Sequence, residues 1–234
     1  MSRKAKDRTA LEDKIGYKFA DKALLDRALT HISAISGGPQ SRGKSYQRLE
    51  FLGDHVLGLV VSDMLFRTFP KADEGELSRR LADLVRKETC ADIARAMDLG
   101  PAMKLGNSET QAGGRRRATI LADVCEALIG AVFIDGGYDK AAALVERFWQ
   151  ERMLKPARPL RDPKTILQEW AQARGLTTPA YRELARTGPQ HDPEFRVAVL
   201  LPDRPPAEGM GSSKRAAEQA AAAAMLTREG VAAD

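Results

Sequence analysis

Apolar residues recur at helical spacing through most of the first 154 residues of the chain. These runs end at Pro70, at Gly100-Pro101 and at a DGG segment at 135–137, because proline and glycine disfavour helix interiors. The pattern predicts helices over residues 24–29, 48–69, 76–97, 119–134 and 139–154. No alternating strand pattern competes with them, so this part of the chain is predicted to be an all-α domain.

The pattern changes after residue 164. Residues 165–174 keep helical spacing, whereas 181–186 and 194–201 read as strands. In the second strand Phe195, Val197 and Val199 alternate with Glu194, Arg196 and Ala198. This alternation predicts one buried face. A third short strand near 207–210 and a final alanine-rich helix, capped by Ser212 or Ser213, complete an α-β-β-β-α order typical of an α+β domain.

A proline-rich segment, MLKPARPLRDP, separates the two patterns at residues 153–163. Its prolines stop any helix that enters from the upstream side. The segment is predicted to be a linker over 153–161, between a helical domain at 8–152 and a second domain at 162–231.

Charge adds a constraint on function. The net charge of +5 and the pI of about 9.3 favour an anionic partner. Residues 161–234 nevertheless carry equal numbers of basic and acidic side chains. A polyanion bound by the second domain must therefore depend on local clusters of charge.

The cysteines and the apolar runs indicate the compartment. Cys125 lies inside the apolar segment ILADVCEALIGAVFI, which favours a buried thiol over a disulfide with Cys90. The chain opens on MSRKAKDR instead of an apolar leader, and charges interrupt every apolar run before it reaches membrane-spanning length. We therefore expect a reduced, cytoplasmic setting and no membrane partner.

Two apolar segments each carry a pair of acids. Asp123 and Glu126, in the segment at 120–134, are three positions apart and share one helix face. Glu50 and Asp54, in RLEFLGDHVLGLVVSDMLF, are four apart and do the same. If the two helices pack together, four carboxylates converge and repel one another unless a cation joins them. Oxygen-only donors favour Mg²⁺, with Mn²⁺ as a substitute.

An alternative keeps these acids structural, because an arginine can also neutralise a buried carboxylate. Arg79, Arg80 and the run Arg115-Arg116-Arg117 are available for this purpose. A di-iron bundle is excluded, since it needs Glu-x-x-His pairs that the sequence lacks, and His31 and His55 are interpreted as structural. An acidic metal site in a basic protein indicates a phosphodiester substrate, whose hydrolysis such a metal assists.

Six sequence motifs follow one another in a specific order. RLEFLGD, DEGELSR and ILADVCEALIGAVF occur in the first part, and PKTILQEW, GPQHDPEF and GSSKRAAEQAAA in the second. Together they resemble bacterial ribonuclease III over about residues 10–230. The resemblance implies an all-α endonuclease domain followed by an α+β double-stranded RNA-binding domain.

The resemblance also implies an activity. A homodimer would cut double-stranded RNA, each subunit cutting one strand, to leave 5′-phosphate and 3′-hydroxyl ends with short 3′ overhangs. Glu50, Asp123 and Glu126 match the metal ligands of the family, and Asp54 and Glu126 match its active-site residues. Ribosomal and other structured RNA precursors are the implied substrates, and no organic cofactor is expected.

Two further residues match positions at the junction between subunits. Phe51 corresponds to a residue that packs into the partner subunit, and Glu74 to an acid near the cleft between subunits. For Glu74 a structural or interface role and a catalytic role remain open.

Double-stranded RNA is recognised by shape, through its minor groove, its 2′-hydroxyls and its phosphates. By resemblance, Thr165, Gln168 and Glu169, which share a helix face, form the first contact region. His191, in the loop between two strands, matches the second contact region.

The start of the last helix is predicted to hold a phosphate. Lys214 and Arg215 follow Ser213 in the first turn, where the helix dipole and free N–H groups favour an anion. As an alternative, the two cations are simply solvated. The next residues, Ala216 to Glu218, include no further lysine, and we therefore expect phosphate to bind weakly here.

The roles of Gln47 and of the run Arg115-Arg116-Arg117 remain open. Gln47 stands where relatives often have glutamate, and we hypothesise that the site tolerates this with weaker Mg²⁺ affinity. A Gln47→Glu variant that needs no less Mg²⁺ for half-maximal rate would contradict this hypothesis. The run Arg115-Arg116-Arg117 either holds substrate phosphates near the acids or offsets their charge as a solvated loop.

Three functions compete. The leading hypothesis is a Mg²⁺-dependent endonuclease for double-stranded RNA. An RNA-binding protein with an inactive nuclease domain is disfavoured because all four acids are present, although Gln47 leaves it some room. A helical dimerisation scaffold without an RNA role is disfavoured by Lys214 and Arg215 at a helix start.

Overall fold

The structure is a computed structural model, and it describes residues 3–36, 43–155, 162–189 and 192–231. The chain forms two compact units, Met1–Pro156 and Ala157–Asp234. Most of the predicted linker, residues 156–161, lies outside the described residues. Among the helices that the structure describes, none is both long and apolar enough to span a lipid bilayer.

Helices make up the first unit. They are α1 (Arg3–Ile15), α2 (Lys22–Ala28), α3 (Gln47–Thr68), α4 (Glu74–Val85), α5 (Lys87–Ala96), α6 (Leu99–Ala102), α7 (Asn107–Gln111) and α8 (Ala118–Leu154), with short 3-10 turns at Ile32–Ala34 and Gly114–Arg116. In the described part of this unit, an isolated bridge between Thr30 and Lys104 is the one extended pairing. The prediction of an all-α first domain is confirmed.

Helices α3 and α8 form the centre of the first unit. Both carry fully buried aliphatic side chains at helical spacing: Leu57, Val60 and Val61 on α3, and Val124, Leu128 and Ile129 on α8. Burying one such side chain contributes about 1.5–3 kcal/mol. This packing therefore sets the relative position of the two helices that carry the predicted acids.

The single helix predicted over residues 76–97 is wrong. The chain forms α4 and α5 instead, with Arg86 between them in an extended conformation (φ −68°, ψ 156°). Two contacts hold this corner: Trp149 Nε1 donates to the carbonyl oxygen of Leu84 at 2.9 Å, and Asp83 pairs with Arg86 at 3.2 Å. Helix propensity does not reveal the break, because arginine is a good helix former and Trp149 is distant in sequence.

The predicted helix stop at Gly100-Pro101 is also wrong. These two residues lie inside α6, which begins after Asp98 in a left-handed conformation (φ 61°). The guanidinium of Arg115 donates to the carbonyl oxygens of Gly100, Pro101 and Met103 at 2.8–2.9 Å. Arg115 therefore caps the end of this short helix.

Helix α8 contains one interruption. Gly137 has φ 78° and ψ −175°, a conformation that residues with a side chain rarely adopt. The two helices predicted on either side of DGG are thus two arms of a kinked element. Just before the kink, the Asp135 carboxylate accepts hydrogen bonds from the Tyr17 hydroxyl at 2.7 Å and from the backbone N–H groups of Ala20 and Asp21 at 2.8 and 2.9 Å.

The second unit contains two helices and an antiparallel sheet. Its elements are α9 (Pro163–Gln172), β1 (Ala180–Thr187), β2 (Glu194–Leu201), β3 (Arg204–Gly211) and α10 (Lys214–Arg228), with strand order β1-β2-β3. Its core surrounds Leu167, Val199, Ala221 and Met225. The predicted α-β-β-β-α order is confirmed.

One expectation for β2 is wrong. Ala198 belongs to the face predicted to be polar, yet only 2% of it is exposed. In the sheet Ala198 lies between Arg182 of β1 and Glu208 of β3. The longer side chains of these cross-strand neighbours leave little of the methyl group accessible. Val197 and Val199 are fully buried, as the alternation predicts.

Candidate metal centre and nucleic-acid interface

The predicted acids are brought together where α3 and α8 cross. A Cβ atom on Gly53 would lie 1.7 Å from the carbonyl oxygen of Glu126, and one on Gly130 would lie 2.3 Å from that of Leu49. The two backbones therefore touch through a pair of glycines, with no room for a side chain between them. Glu50, one turn before Gly53, is thereby held against the acidic face of α8.

Three carboxylates meet at this crossing. One oxygen from each of Glu50, Asp123 and Glu126 lies within 4.8 Å of the other two, and these residues are called the acid cluster below. Glu126 is buried, with 8% of its surface exposed, whereas Glu50 and Asp123 are half-buried. The acid cluster therefore opens to solvent on one side.

Asp54 stands outside the group of three. Its side chain is 57% exposed and lies 4.0 Å from the ring of His55. Its charge still acts on the buried acid, because the pKa of Glu126 is raised to about 7, first by burial and then by Asp54, Glu50 and Asp123. Burial and the charge of Asp123 also raise the pKa of Glu50. The four predicted acids thus divide into a group of three and an outer member.

Arginines do not neutralise the acid cluster. Arg80 binds Glu76 on its own helix at 2.7 Å, and Arg117 binds Glu109 at 2.8 Å. Arg115 caps α6, and Arg116 is exposed. Within the described ranges, no ion pair of 4.0 Å or less joins the acid cluster to an arginine. The alternative in which arginines neutralise these acids is therefore wrong.

The acid cluster fits a hard divalent cation. Its donors are carboxylate oxygens, which Mg²⁺ and Mn²⁺ prefer. Opposite ligands of Mg²⁺ lie about 4.2 Å apart, so small side-chain rotations are enough to close the cluster around an ion. His31 and His55 are engaged elsewhere: His31 Nδ1 accepts from the N–H of Ser33 at 3.1 Å, and His55 Nδ1 lies 2.8 Å from the carbonyl oxygen of Phe51.

The predicted RNA contacts of α9 adjoin those of α10. Thr165 and Gln168 of α9 and Arg215 of α10 line one cavity of about 370 Å³. Glu169 is exposed one turn beyond Thr165, on the same side of α9. Residues predicted from two separate motifs are thus placed around one surface feature.

The start of α10 is built as predicted. Ser213 Oγ accepts a hydrogen bond from the N–H of Ala216 at 3.2 Å, which identifies Ser213 as the helix cap. Lys214 is exposed and lies 3.6 Å from the carboxylate of Glu183 in β1. His191, the predicted second contact region, lies outside the described residues.

Comparison with known families agrees with both units. Residues 21–153 match the family described as Ribonuclease-III-like, and residues 163–228 match the Double-stranded RNA binding motif. The chain belongs to the ribonuclease III family. It is an endoribonuclease of the ribonuclease III type, with a nuclease domain followed by a double-stranded RNA-binding motif. The resemblance seen in the sequence motifs is confirmed.

Curated relatives are similar over nearly the whole chain. Ribonuclease 3 of Rhodopseudomonas palustris is 65% identical over 222 residues, which cover 95% of this chain and 81% of that protein. Ribonuclease 3 of Nitrobacter winogradskyi is 66% identical over 224 residues, covering 95% of this chain and 83% of that protein.

Solved nuclease domains share the fold of the first unit. The nuclease domain of ribonuclease III from Campylobacter jejuni superimposes with a TM-score of 0.56 and 38% identity, over 63% of this chain and 95% of that one. A second structure of that domain, described as flexible in a region involved in dimer formation, has a TM-score of 0.54 and 39% identity, over 60% and 96% of the two chains.

Helix α3 of this ribonuclease III family member also presents exposed apolar residues. Phe51, Leu59 and Phe66, called the apolar stripe below, are 71%, 59% and 73% exposed and are spaced by about two helical turns. A groove of about 500 Å³ runs between α3 and α4, and Leu59, Phe66 and Glu74 are among its lining residues. The two predicted interface residues, Phe51 and Glu74, thus belong to the stripe and to the groove beside it.

Further residues beside the acid cluster are not recognisable from the sequence. The Tyr46 hydroxyl donates to Asp123 Oδ2 at 3.2 Å. The charge of Glu126 raises the pKa of the buried Cys90 thiol, and Lys87 lowers the pKa of Glu126 against the dominant effect of burial. Burial and the neighbouring carboxylates raise the pKa of both Tyr46 and Cys90. No local signal identifies these residues, since Tyr46 and Asp123 are 77 positions apart and only the tertiary structure joins them.

Proposed function

We propose that the enzyme hydrolyses double-stranded RNA with Mg²⁺, which Mn²⁺ can replace. The acid cluster carries this proposal: three carboxylates lie within 4.8 Å at a backbone crossing, and the described residues give them no arginine partner. The proposed products have 5′-phosphate and 3′-hydroxyl ends with short 3′ overhangs. The proposed substrates are ribosomal and other structured RNA precursors.

Glu50, Asp123 and Glu126 would hold the ion, and Asp54 and Glu126 are assigned to catalysis. When bound, the ion supplies activation of water and neutralisation of phosphate charge. Burial of Glu126 excludes water from the inner side of the site, so that the open side receives the RNA. The exposed Asp54 would accept a proton from the attacking water. As the bond between phosphorus and the 3′ oxygen breaks, the leaving oxygen would take a proton from solvent and become the 3′-hydroxyl.

Incubation of long duplex RNA with Mg²⁺, with Ca²⁺ or with a chelator tests this function. We expect cleavage in Mg²⁺, binding without cleavage in Ca²⁺, and no cleavage with chelator. Glu126→Gln should abolish cleavage and leave binding in Ca²⁺ intact, while Glu151→Gln, at an exposed position of the same helix, should do neither. Cleavage in chelator would contradict the metal requirement, and binding without cleavage in Mg²⁺ would favour an inactive nuclease domain.

We propose that the second unit binds RNA through two sets of residues. Thr165, Gln168 and Glu169, together with His191, would contact the minor groove, and Ser213, Lys214 and Arg215 would hold a phosphate. The shared cavity of Thr165, Gln168 and Arg215 supports this assignment. Arg215→Ala should weaken binding to all duplex sequences alike and lower the slope of affinity against salt by about one. An unchanged slope would favour the alternative of solvated cations.

We propose that the enzyme is a homodimer joined through the apolar stripe. Three large apolar side chains on one side of a helix are costly to leave in water, and such patches mark interaction sites. Phe51 would pack into the partner subunit, and Glu74 would lie at the edge of the interface. A second copy of the chain is the occupant that buries both stripes at once.

We place the enzyme in the cytoplasm, since both Cys90 and Cys125 are buried and unpaired, as thiols are in a reducing compartment. The proposed domain limits are 8–152 and 162–231, with the linker at 153–161 between them. The proposed reaction needs no organic cofactor.

A further inference from the structure

The first turn of α9 is bonded to the second turn of α10. The backbone N–H of Lys164 donates to Gln219 Oε1 at 3.0 Å, and the Lys164 ammonium group donates to Glu218 Oε2 at 2.6 Å. The first N–H groups of a helix have no partner within that helix, so Gln219 satisfies one that α9 itself cannot. The two helices are thereby fixed to each other near their N-terminal ends.

The ion pair between Lys164 and Glu218 is partly shielded from water. The side chain of Glu218 is 16% exposed and that of Lys164 is 32% exposed. The Lys164 ammonium group also lies 4.5 Å from the centroid of the Tyr181 ring, within the range of a cation–π contact. Because partial burial reduces screening by water and salt, this pair should be stronger than most ion pairs on a protein surface.

This ion pair lies between the two sets of proposed RNA contacts. Thr165 directly follows Lys164 on α9, and Arg215 lies one turn before Glu218 on α10. All four residues line the cavity of about 370 Å³ between the two helices. A change in this ion pair would therefore alter the distance between the minor-groove set on α9 and the phosphate set on α10.

The charge of Glu218 by itself disfavours RNA binding. It places a carboxylate one turn from Arg215, where a phosphate is proposed to bind, and like charges repel. Lys164 offsets this charge, but its ammonium group is bonded to Glu218. The pair thus adds no net charge to the RNA-binding surface, and its remaining effect is on geometry.

We propose that Lys164 and Glu218 are positioning residues, which hold α9 and α10 at the spacing that double-stranded RNA requires. The inference rests on the proposed RNA contacts of both helices. In an A-form duplex the shallow minor groove and the neighbouring phosphates lie at a fixed separation. Two contact sets that are already held at this separation avoid the cost of ordering the second set on binding. The narrower minor groove of B-form DNA does not match the same spacing, so the pair also favours RNA over DNA.

The double variant Lys164→Met, Glu218→Gln tests this role, because it removes the ion pair and leaves the net charge unchanged. We expect its affinity for duplex RNA, measured in Ca²⁺, to fall about fivefold. The slope of affinity against salt should stay the same, since the phosphate contacts remain. Affinity for duplex DNA of the same sequence, which depends on phosphates, should stay within about twofold. The charge-reversed variant Lys164→Glu, Glu218→Lys restores an ion pair and should recover most of the RNA affinity.

Another ion pair of the second unit provides the matched control. Arg196 of β2 and Glu208 of β3 pair at 2.7 Å within the sheet. Arg196→Met, Glu208→Gln makes the same kind of change without altering the net charge. It should change neither the RNA affinity nor the DNA affinity, because it does not touch the contact of α9 with α10.

The binding measurements separate the possible outcomes. An RNA affinity of the double variant equal to or above that of the wild type would overturn the proposal. So would a salt slope lowered by about one, since Lys164 would then contact a phosphate directly. If the wild type itself does not bind duplex RNA in Ca²⁺, the proposed RNA contacts fail. If the wild type binds and the double variant binds equally well, only the positioning role fails.

Circular dichroism and thermal unfolding show whether each variant is folded at the assay temperature. Should the double variant unfold, the single change Glu218→Gln, which keeps the shape of the side chain, decides the question. A positioning role predicts that this change lowers RNA affinity. A higher affinity would mean that Glu218 only repels phosphate, and would overturn the proposal.

Discussion

The hydroxyl of Tyr46, just before α3, donates a hydrogen bond of 3.2 Å to Oδ2 of Asp123 on α8. Only 4% of Tyr46 is exposed, so its ring is fixed by packing and the hydroxyl fixes the Asp123 carboxylate in turn. Hydrogen bonds of this kind orient metal ligands. A residue at the start of α3 thus orients a proposed metal ligand on α8.

Tyr46→Phe removes this hydrogen bond and keeps the buried ring. We expect the Mg²⁺ concentration for half-maximal cleavage to rise about tenfold, because the Asp123 carboxylate is no longer oriented. Titration of the cleavage rate with Mg²⁺ measures the effect, and calorimetry checks it without RNA. Tyr138→Phe, at a half-buried tyrosine whose charged neighbours are Asp63 and Arg67, is the control and should leave the requirement unchanged. An unchanged requirement in Tyr46→Phe would show that the hydroxyl does not orient the ligand.

Without metal, the stability of the enzyme should fall as pH rises through the range in which Glu126 ionises. The pKa of Glu126 is about 7 in the folded protein, against 4.5 for the ordinary group. Below pH 4.5 the group is protonated in both states, whereas between 4.5 and 7 the unfolded chain has already lost a proton that the folded protein keeps. Ionisation therefore favours unfolding, by up to about 3 kcal/mol above the folded pKa.

Glu126→Gln removes this penalty. In chelator, the variant should exceed the wild type in free energy of unfolding by about 1–3 kcal/mol near pH 8, and the difference should shrink near pH 5. Urea unfolding at the two pH values measures it, with Glu151→Gln as the control. Added Mg²⁺ should reverse the order, since only the wild type keeps all three carboxylates for the ion. A constant difference at both pH values would mean that Glu126 ionises normally.

Gly53→Ala should destabilise the enzyme and abolish cleavage. The new methyl group would fall 1.7 Å from the carbonyl oxygen of Glu126, so α3 and α8 must move apart and separate Glu50 from Asp123 and Glu126. We expect a loss of at least about 1–3 kcal/mol in urea unfolding, although alanine is the better helix former.

Gly58→Ala is the matched control on the same helix. A Cβ atom at Gly58 meets nothing within 4 Å, so only the gain in helix propensity remains. This variant should be stabilised by about 0.5–1 kcal/mol and should cut RNA at the normal rate. Equal effects at Gly53 and Gly58 would exclude the backbone crossing as the cause.

Replacing the aromatic residues of the apolar stripe should give monomers. The double variant Phe51→Glu, Phe66→Glu would bring like charges together in a symmetric interface. Light scattering should report the monomer mass, and cleavage should fall with dimer content. Ile134→Glu, at another exposed apolar residue outside the stripe, should stay dimeric. A dimer that survives both stripe substitutions would place the interface elsewhere.

Local patterns predicted much of the fold and the acids. Each acid pair lies within one turn of a helix, so the spacing of Asp123 and Glu126 was readable directly from the sequence. The strand order and the Ser213 cap also depend on neighbouring residues. Features fixed by distant partners were not readable: the break at Arg86 depends on Trp149, and the burial of Ala198 depends on its cross-strand neighbours.

The grouping of the four acids depends partly on local spacing and partly on distant partners. Sequence spacing placed Glu50 and Asp54 on one helix face, but it gave no reason for Glu50 to join the acid cluster while Asp54 stays outside. That difference arises from where α8 crosses α3. The role of Tyr46 has the same origin, because its hydroxyl at the start of α3 reaches Asp123 on α8.

The contact of α3 and α8 through Gly53 and Gly130 has a consequence for how this enzyme can diverge. Main-chain atoms, which are the same in every residue, set the distance between the two helices at this point. An exchange of aliphatic residues elsewhere in the core should therefore disturb the spacing of the acids less than a change at either glycine. The geometry of the acid cluster therefore depends most strongly on two positions, Gly53 and Gly130, which must keep glycine.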